Sequence, residues 1–168
     1  MEVIFERVDR RRYRIGAARN GRHDVGADVV MHAAPGHAAV PHDLVHFIVE
    51  EQAGLQLGIY GQVAAGGDVG GFFRRGIGSR KSVRDARRSR RLGRAGRRDV
   101  AESERLAGPV GDDGRIATAV EIDERLRARI QGRLDELLTR WNATANGGRL
   151  ILTWPDELTI RHGVLPSR

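Results

Sequence analysis

The chain reads as an α+β domain: a small antiparallel sheet from N-terminal strands plus one C-terminal strand, packed by a histidine-bearing helix and one long amphipathic helix. Three observations predict this. Residues 2–17 alternate apolar and polar side chains in a β-branched and aromatic context. Pro41 opens a helical segment, since its missing N–H would be unpaired at that position anyway. Near the C-terminus, Ile122, Leu126, Ile130, Leu134, Leu137, Leu138 and Trp141 recur at three- and four-residue steps before a second alternating run, Leu150, Leu152 and Trp154.

At 168 residues the chain suits one domain with a sizeable core. We divide it into an N-terminal meander with histidine-bearing helices (1–73), an arginine-rich flexible insertion (74–98), and a long helix and strand that complete the domain (99–168). Cysteine is absent, so disulfides, thiolate ligands and cysteine nucleophiles are excluded, and any metal must be held by His and carboxylate. No apolar run reaches the roughly 20 residues of a membrane span. Met1 to Glu6 is acidic and strand-like rather than signal-like, which predicts a cytoplasmic protein.

The strand signals come first. Glu2 to Val8 and Tyr13 to Ala17 flank a polar turn and predict a hairpin. Asn20-Gly21 is a turn signal, and Asp28 to Met31 gives a third strand. The Pro41 helix is expected to run to Gln52 or Ala53, with Gly54 as its stop. At 100° per residue, His42, Asp43, His46 and Glu50 fall within an arc of about 100°, while Leu44, Val45, Ile48 and Val49 spread over the other side. Ile59 to Ala65 reads as a short helix ended by Gly66-Gly67. Asp99 to Leu106 forms another, and the long helix spans Ile116 to Asn142. Leu158 and Ile160 suggest a last short strand, and Trp141 and Trp154 are expected to anchor the core.

His42 and His46 stand at i and i+4, the spacing that lets one helix offer two ring nitrogens to a single zinc or similar divalent ion. The third ligand is expected from Glu50, His37 or His32, with Asp43 as orienting group or general base. A blander reading has Asp43 complementing the helix dipole and His46 hydrogen-bonded to a neighbouring loop.

The net charge of +7 is unevenly spread: residues 74–98 carry a local +11, so the remainder carries −4. Lys81 is the only lysine, which points to a coding bias toward arginine. Arg84, Arg87, Arg88, Arg90, Arg91 and Arg94 are the candidate contacts for nucleic acid or another polyanion. Like-charge repulsion and the interspersed glycines favour either a flexible insertion or a helix formed against an acidic surface. Phe72 and Phe73 lie to one side and make no stacking platform. The glycine-rich run Gly66 to Gly71 fits neither G-x-G-x-x-G nor a Walker loop, and Arg80 stands where Gly76 to Ser82 would need glycine. Asp112-Asp113-Gly114 is too short in acidic ligands for an EF-hand.

Several stretches together resemble a family of small uncharacterised actinobacterial proteins over most of the length. They are Pro-His-Asp-Leu-Val-His-Phe at 41–47, the glycine-rich run after Val63, the arginine-rich segment ending at Ala101 to Gly108, and Gly148 to Pro155 with its Leu-Thr-Trp-Pro. The resemblance implies no activity, and it implies that the arginine-rich segment is an ordinary family insertion. A narrower likeness is to the zinc protein of ubiquinone biosynthesis, whose H-D-x-x-H motif matches His42, Asp43 and His46. That family also carries a downstream Glu, where this chain has Gly58. As a whole the sequence reads as a structural or interaction domain. A metal-binding, hydrolase-like protein and a polyanion-binding protein are the alternatives.

Overall fold

The computed structural model describes residues 1–32, 39–75 and 83–160. Among these residues five strands, β1 (Glu2–Arg7), β2 (Tyr13–Ala18), β3 (Val29–His32), β4 (Arg74–Arg75) and β5 (Arg149–Thr153), form one sheet in the order β4-β3-β2-β1-β5. Every pairing is antiparallel. The β1–β2 hairpin turns where Asp9 accepts the backbone N–H groups of Arg11 and Arg12. β5 returns from the far end of the chain to the free edge of β1, with Phe5 opposite Leu150 and Val3 opposite Leu152.

Alternation sends Val3, Phe5, Tyr13, Ile15, Ala17 and Leu152 to one buried face. Among the described residues five α-helices occur in chain order: α1 (His42–Ala53), α2 (Ile59–Ala64), α3 (Val83–Ala95), α4 (Arg97–Ala107) and α5 (Glu124–Asn142). The core joins that sheet face to Leu44, Phe47 and Ile48 of α1, Tyr60 and Val63 of α2, Leu106 of α4, and Leu134 and Leu137 of α5. Trp141 and Trp154 are both fully buried, as expected of anchors. Trp154 meets Phe47 edge-on at 5.7 Å between ring centroids, and the Arg7 guanidinium lies 4.3 Å over Trp141. None of the described helices is long and apolar enough to cross a membrane.

Several expectations need correction. The long helix starts at Glu124, not Ile116, because the Asp123 carboxylate accepts the Leu126 N–H and caps it there. Ile116 instead bridges to Val110 in an extended segment, its N–H bonded to the Gln131 side chain. In place of a strand at 158–160 there is a 3₁₀ turn, Asp156–Leu158. The basic segment opens with β4, so its first two residues belong to the sheet. Where described, the rest of it is helical: Ser89 and Leu92 of α3 turn inward, and Leu92 packs with Leu57, Ala65 and Ile160. The junction between α3 and α4 is held close, since a β-carbon on Gly96 would stand 2.3 Å from the Leu57 carbonyl oxygen.

α1 is covered all round, with an unbroken buried run from Leu44 to Glu50. Its polar edge, which the sequence leaves facing solvent or a loop, lies against α4.

Candidate metal centre

The site begins with the spacing of α1. His42, His46 and Glu50 are one turn apart in succession, so all three line the edge that meets α4, which contributes Ser103 and Glu104. His46 is 3% exposed and Glu50 is fully buried, and such groups are stable only when hydrogen-bonded. They are. Glu50 Oε1 accepts the Ile59 N–H at 2.8 Å and Oε2 accepts the Tyr60 N–H at 2.9 Å, both from the first turn of α2. Ser103 donates its hydroxyl to Glu50 Oε1 at 2.8 Å, and its Oγ lies 2.8 Å from His46 Nδ1.

With Glu50 ionised, that relay assigns the imidazole tautomer. Ser103 has one proton and spends it on a carboxylate whose two oxygens already accept backbone N–H groups. Its oxygen therefore accepts from His46 Nδ1–H, which leaves the lone pair of His46 on Nε2. Nε2 points outward, 3.1 Å from Nε2 of His42, with the two rings at 82°. Oε2 of Glu104 lies 3.7 Å from the same His46 nitrogen. The ligand atoms of His42, His46 and Glu104 all fall within 4.8 Å of one another. Two nitrogens sharing a tetrahedral zinc ion at its usual bond length would stand about 3.3 Å apart, close to the separation seen here.

Electrostatics favour a neutral ligand at the centre. Burial, and then the neighbouring His42, push the His46 pKa down to about 4. Burial raises Glu50 to about 7, opposed by its bonds from Tyr60, Ile59 and Ser103. His42 and Glu104 are exposed, and the Glu104 side chain, 60% accessible, is free to close on an ion. The three groups together could hold a metal and would leave a coordination position facing solvent.

The expected residues thus separate. His42 and His46 come together. Glu50 lies outside the ligand cluster and acts on His46 through Ser103. Asp43, expected as a general base, is turned onto Tyr13: its Oδ2 accepts the phenolic hydroxyl at 2.6 Å, while its backbone carbonyl accepts from Tyr60 at 2.7 Å. Burial raises the Asp43 pKa, partly offset by the Tyr13 bond, and the residue fastens the first turn of α1 to β2. His37 lies outside the described residues, and His32 ends β3. Of the basic candidates, Arg84, Arg87, Arg90, Arg91 and Arg94 are exposed on α3. Arg88 is drawn inward and pairs with Asp85 at 3.4 Å.

Sequence reasoning missed Ser103 and Glu104. One signal was present: Ser103 falls at helical steps with Val100, Leu106 and Ala107, and a serine in an apolar stripe marks a buried polar partner. Gly58 also gains a meaning. A β-carbon there would stand 2.4 Å from the carboxyl carbon of Glu50, so the glycine leaves room for that carboxylate. No family model, curated protein or solved structure matches the chain.

Proposed function

We propose that the protein binds one divalent transition metal, zinc by preference, through His42 Nε2, His46 Nε2 and a carboxylate oxygen of Glu104. The observation that carries this reading is the convergence of two imidazole Nε2 atoms at 3.1 Å beside a carboxylate. With Glu50 ionised, the Glu50–Ser103 relay supports the ligating tautomer of one of those imidazoles. Hydrogen-bonded support of this kind accompanies metal-ligating histidines generally. Two nitrogens and one carboxylate oxygen, with no sulfur donor, suit zinc or a similar borderline ion. Such an ion would supply Lewis acidity at a solvent-facing position, the chemistry of hydrolysis or hydration. The chain's own residues would hold and orient it: Ser103 fixes the ring of His46, and Asp43 with Tyr13 sets the pitch of α1.

The competing reading is a structural or interaction domain in which the His42–His46 contact is only a hydrogen bond at the edge of the core. Metal analysis of untagged protein, loaded with zinc and dialysed, separates the two. Near-stoichiometric zinc is expected in the native protein and in a Glu102→Ala control, with loss in His46→Ala and in Glu104→Ala. Retention below about a tenth of an equivalent by the native protein overturns the metal reading.

A further inference from the structure

We propose that α3 is a docking face for duplex nucleic acid, which it grips through the phosphates without reading sequence. Arg84, Arg87, Arg90, Arg91 and Arg94 are all exposed and fall within an arc of about 120° on the helix. From Arg84 to Arg94 the row is about 15 Å long at the helical rise, and Arg97 is exposed at the start of α4. None of these six makes an ion pair or side-chain hydrogen bond among the described residues. The one acid on the helix, Asp85, is turned inward and held by Arg88. Arg87 with Arg91, and Arg90 with Arg94, are like-charge neighbours one turn apart, an arrangement that costs a helix stability when no counter-charge is present.

What keeps the helix in place is its other side. Leu92 is buried against Leu57, Ala65 and Ile160, and Ser89 accepts the Asp68 N–H while donating to the Asp68 carboxylate. At the junction with α4, Asp99 accepts the Leu57 N–H at 2.8 Å. The inward side of α3 is therefore used up in folding, and a row of guanidinium groups on a fixed helix is left facing outward.

The chemistry of that row selects its partner. Duplex DNA carries one phosphate charge per about 1.7 Å of axis, so a row of about 15 Å meets enough phosphates for every arginine. No aromatic residue falls between Arg84 and Arg97, so α3 itself carries no stacking platform of the kind single strands use. A helix that lies in a bilayer surface needs an exposed apolar face, and on α3 only Val83 offers one.

Titration of a fluorescent DNA duplex of about 20 base pairs, in EDTA so that the metal site takes no part, tests the proposal. The native protein should lose roughly a thousand-fold in affinity between about 50 and 200 mM salt. Arg84→Gln/Arg87→Gln/Arg91→Gln/Arg94→Gln, confirmed folded by its circular dichroism, should bind at least roughly a hundred-fold more weakly at low salt. Its salt slope should be shallower by about one per arginine removed. Arg10→Gln/Arg11→Gln, in the exposed β1–β2 turn, should behave as the native protein. The proposal is overturned if the quadruple variant binds within about three-fold of native, or if the slope is unchanged. It is equally overturned if a single strand of the same length, or vesicles of anionic phospholipid, binds as tightly as the duplex. Because no metal is present, failure here leaves the zinc reading standing, and the reverse holds too.

Discussion

At the scale of single residues, Ser103 connects the buried carboxylate to the imidazole. Ser103→Ala removes the hydroxyl, leaving His46 Nδ1 without an acceptor and Glu50 without one donor. We expect metal affinity to fall by roughly 10- to 100-fold, read by competition with a chromophoric chelator, and stability to fall by about 1–3 kcal/mol. Unchanged affinity would mean that His46 is oriented by something other than this relay. Gly58→Ala should be costly for a different reason, since its β-carbon would overlap the Glu50 carboxyl group. A loss of about 2 kcal/mol or more in denaturant unfolding is expected. A neutral outcome would show that Glu50 can move aside.

Glu50 also sets a pH dependence. Its folded pKa is raised to about 7 from 4.5, so the folded state holds the proton more tightly than the unfolded chain. The stability this gives is fully present below pH 4.5 and is lost as pH rises through about 7. His46, depressed to about 4 from 6.5, acts in the opposite sense, costing stability as pH falls from 6.5 to 4. The two offset each other in acid. Above pH 6 the loss of the Glu50 contribution outruns the recovery of the His46 one, and unfolding free energy in EDTA should drop by a net of about 0.5 kcal/mol between pH 6 and 8 and then level off. Urea titrations at several pH values would check this. A Glu50→Gln variant that retained the same drop would assign it to another group.

At the scale of elements, what could be read beforehand was whatever local pattern decides. The alternation of Val3 and Phe5 and the i,i+4 spacing of His42 and His46 are backbone periodicities, and they survive folding unchanged. The third candidate ligand could not be read in this way, because Glu104 follows Ser103, which lies 57 positions beyond His46, and both meet it only through the packing of α4 on α1. Proximity in sequence suggested Glu50, on the same helix. The structure uses Glu50 one step further out, since the first turn of α2 offers it two backbone donors. The start of α5 is a related case. The apolar steps from Ile116 onward continue the helical pattern, yet one capping carboxylate, Asp123, decides where the helix begins. Asp123→Ala should cost about 1 kcal/mol and fray the first turn, seen as faster amide exchange near Leu126. Exchange at the native rate would show that the segment before the helix, and not the cap, fixes the boundary.

At the scale of the whole molecule, the basic segment is a structural member as much as a charged one. α4 completes the core with Leu106 and Ala107, and α3 closes a second, smaller apolar cluster through Leu92. The charge imbalance seen in the sequence is therefore displayed on a scaffold joined to the rest of the fold at Gly96 and Asp99. Composition alone could not distinguish this from a solvated connector, because the residues that decide it, Ser89 and Leu92, are few and widely spaced among arginines.

The division of the candidate ligands between α1 and α4 has one more consequence. A chain without cysteine cannot staple distant segments covalently, but an ion shared by His42, His46 and Glu104 would tie residues far apart in sequence, as a disulfide does elsewhere, and would do so reversibly. Its strength would follow the free metal concentration. Chelation would then act as removal of a crosslink between α1 and α4, leaving the core and the seat of α3 to hold the fold.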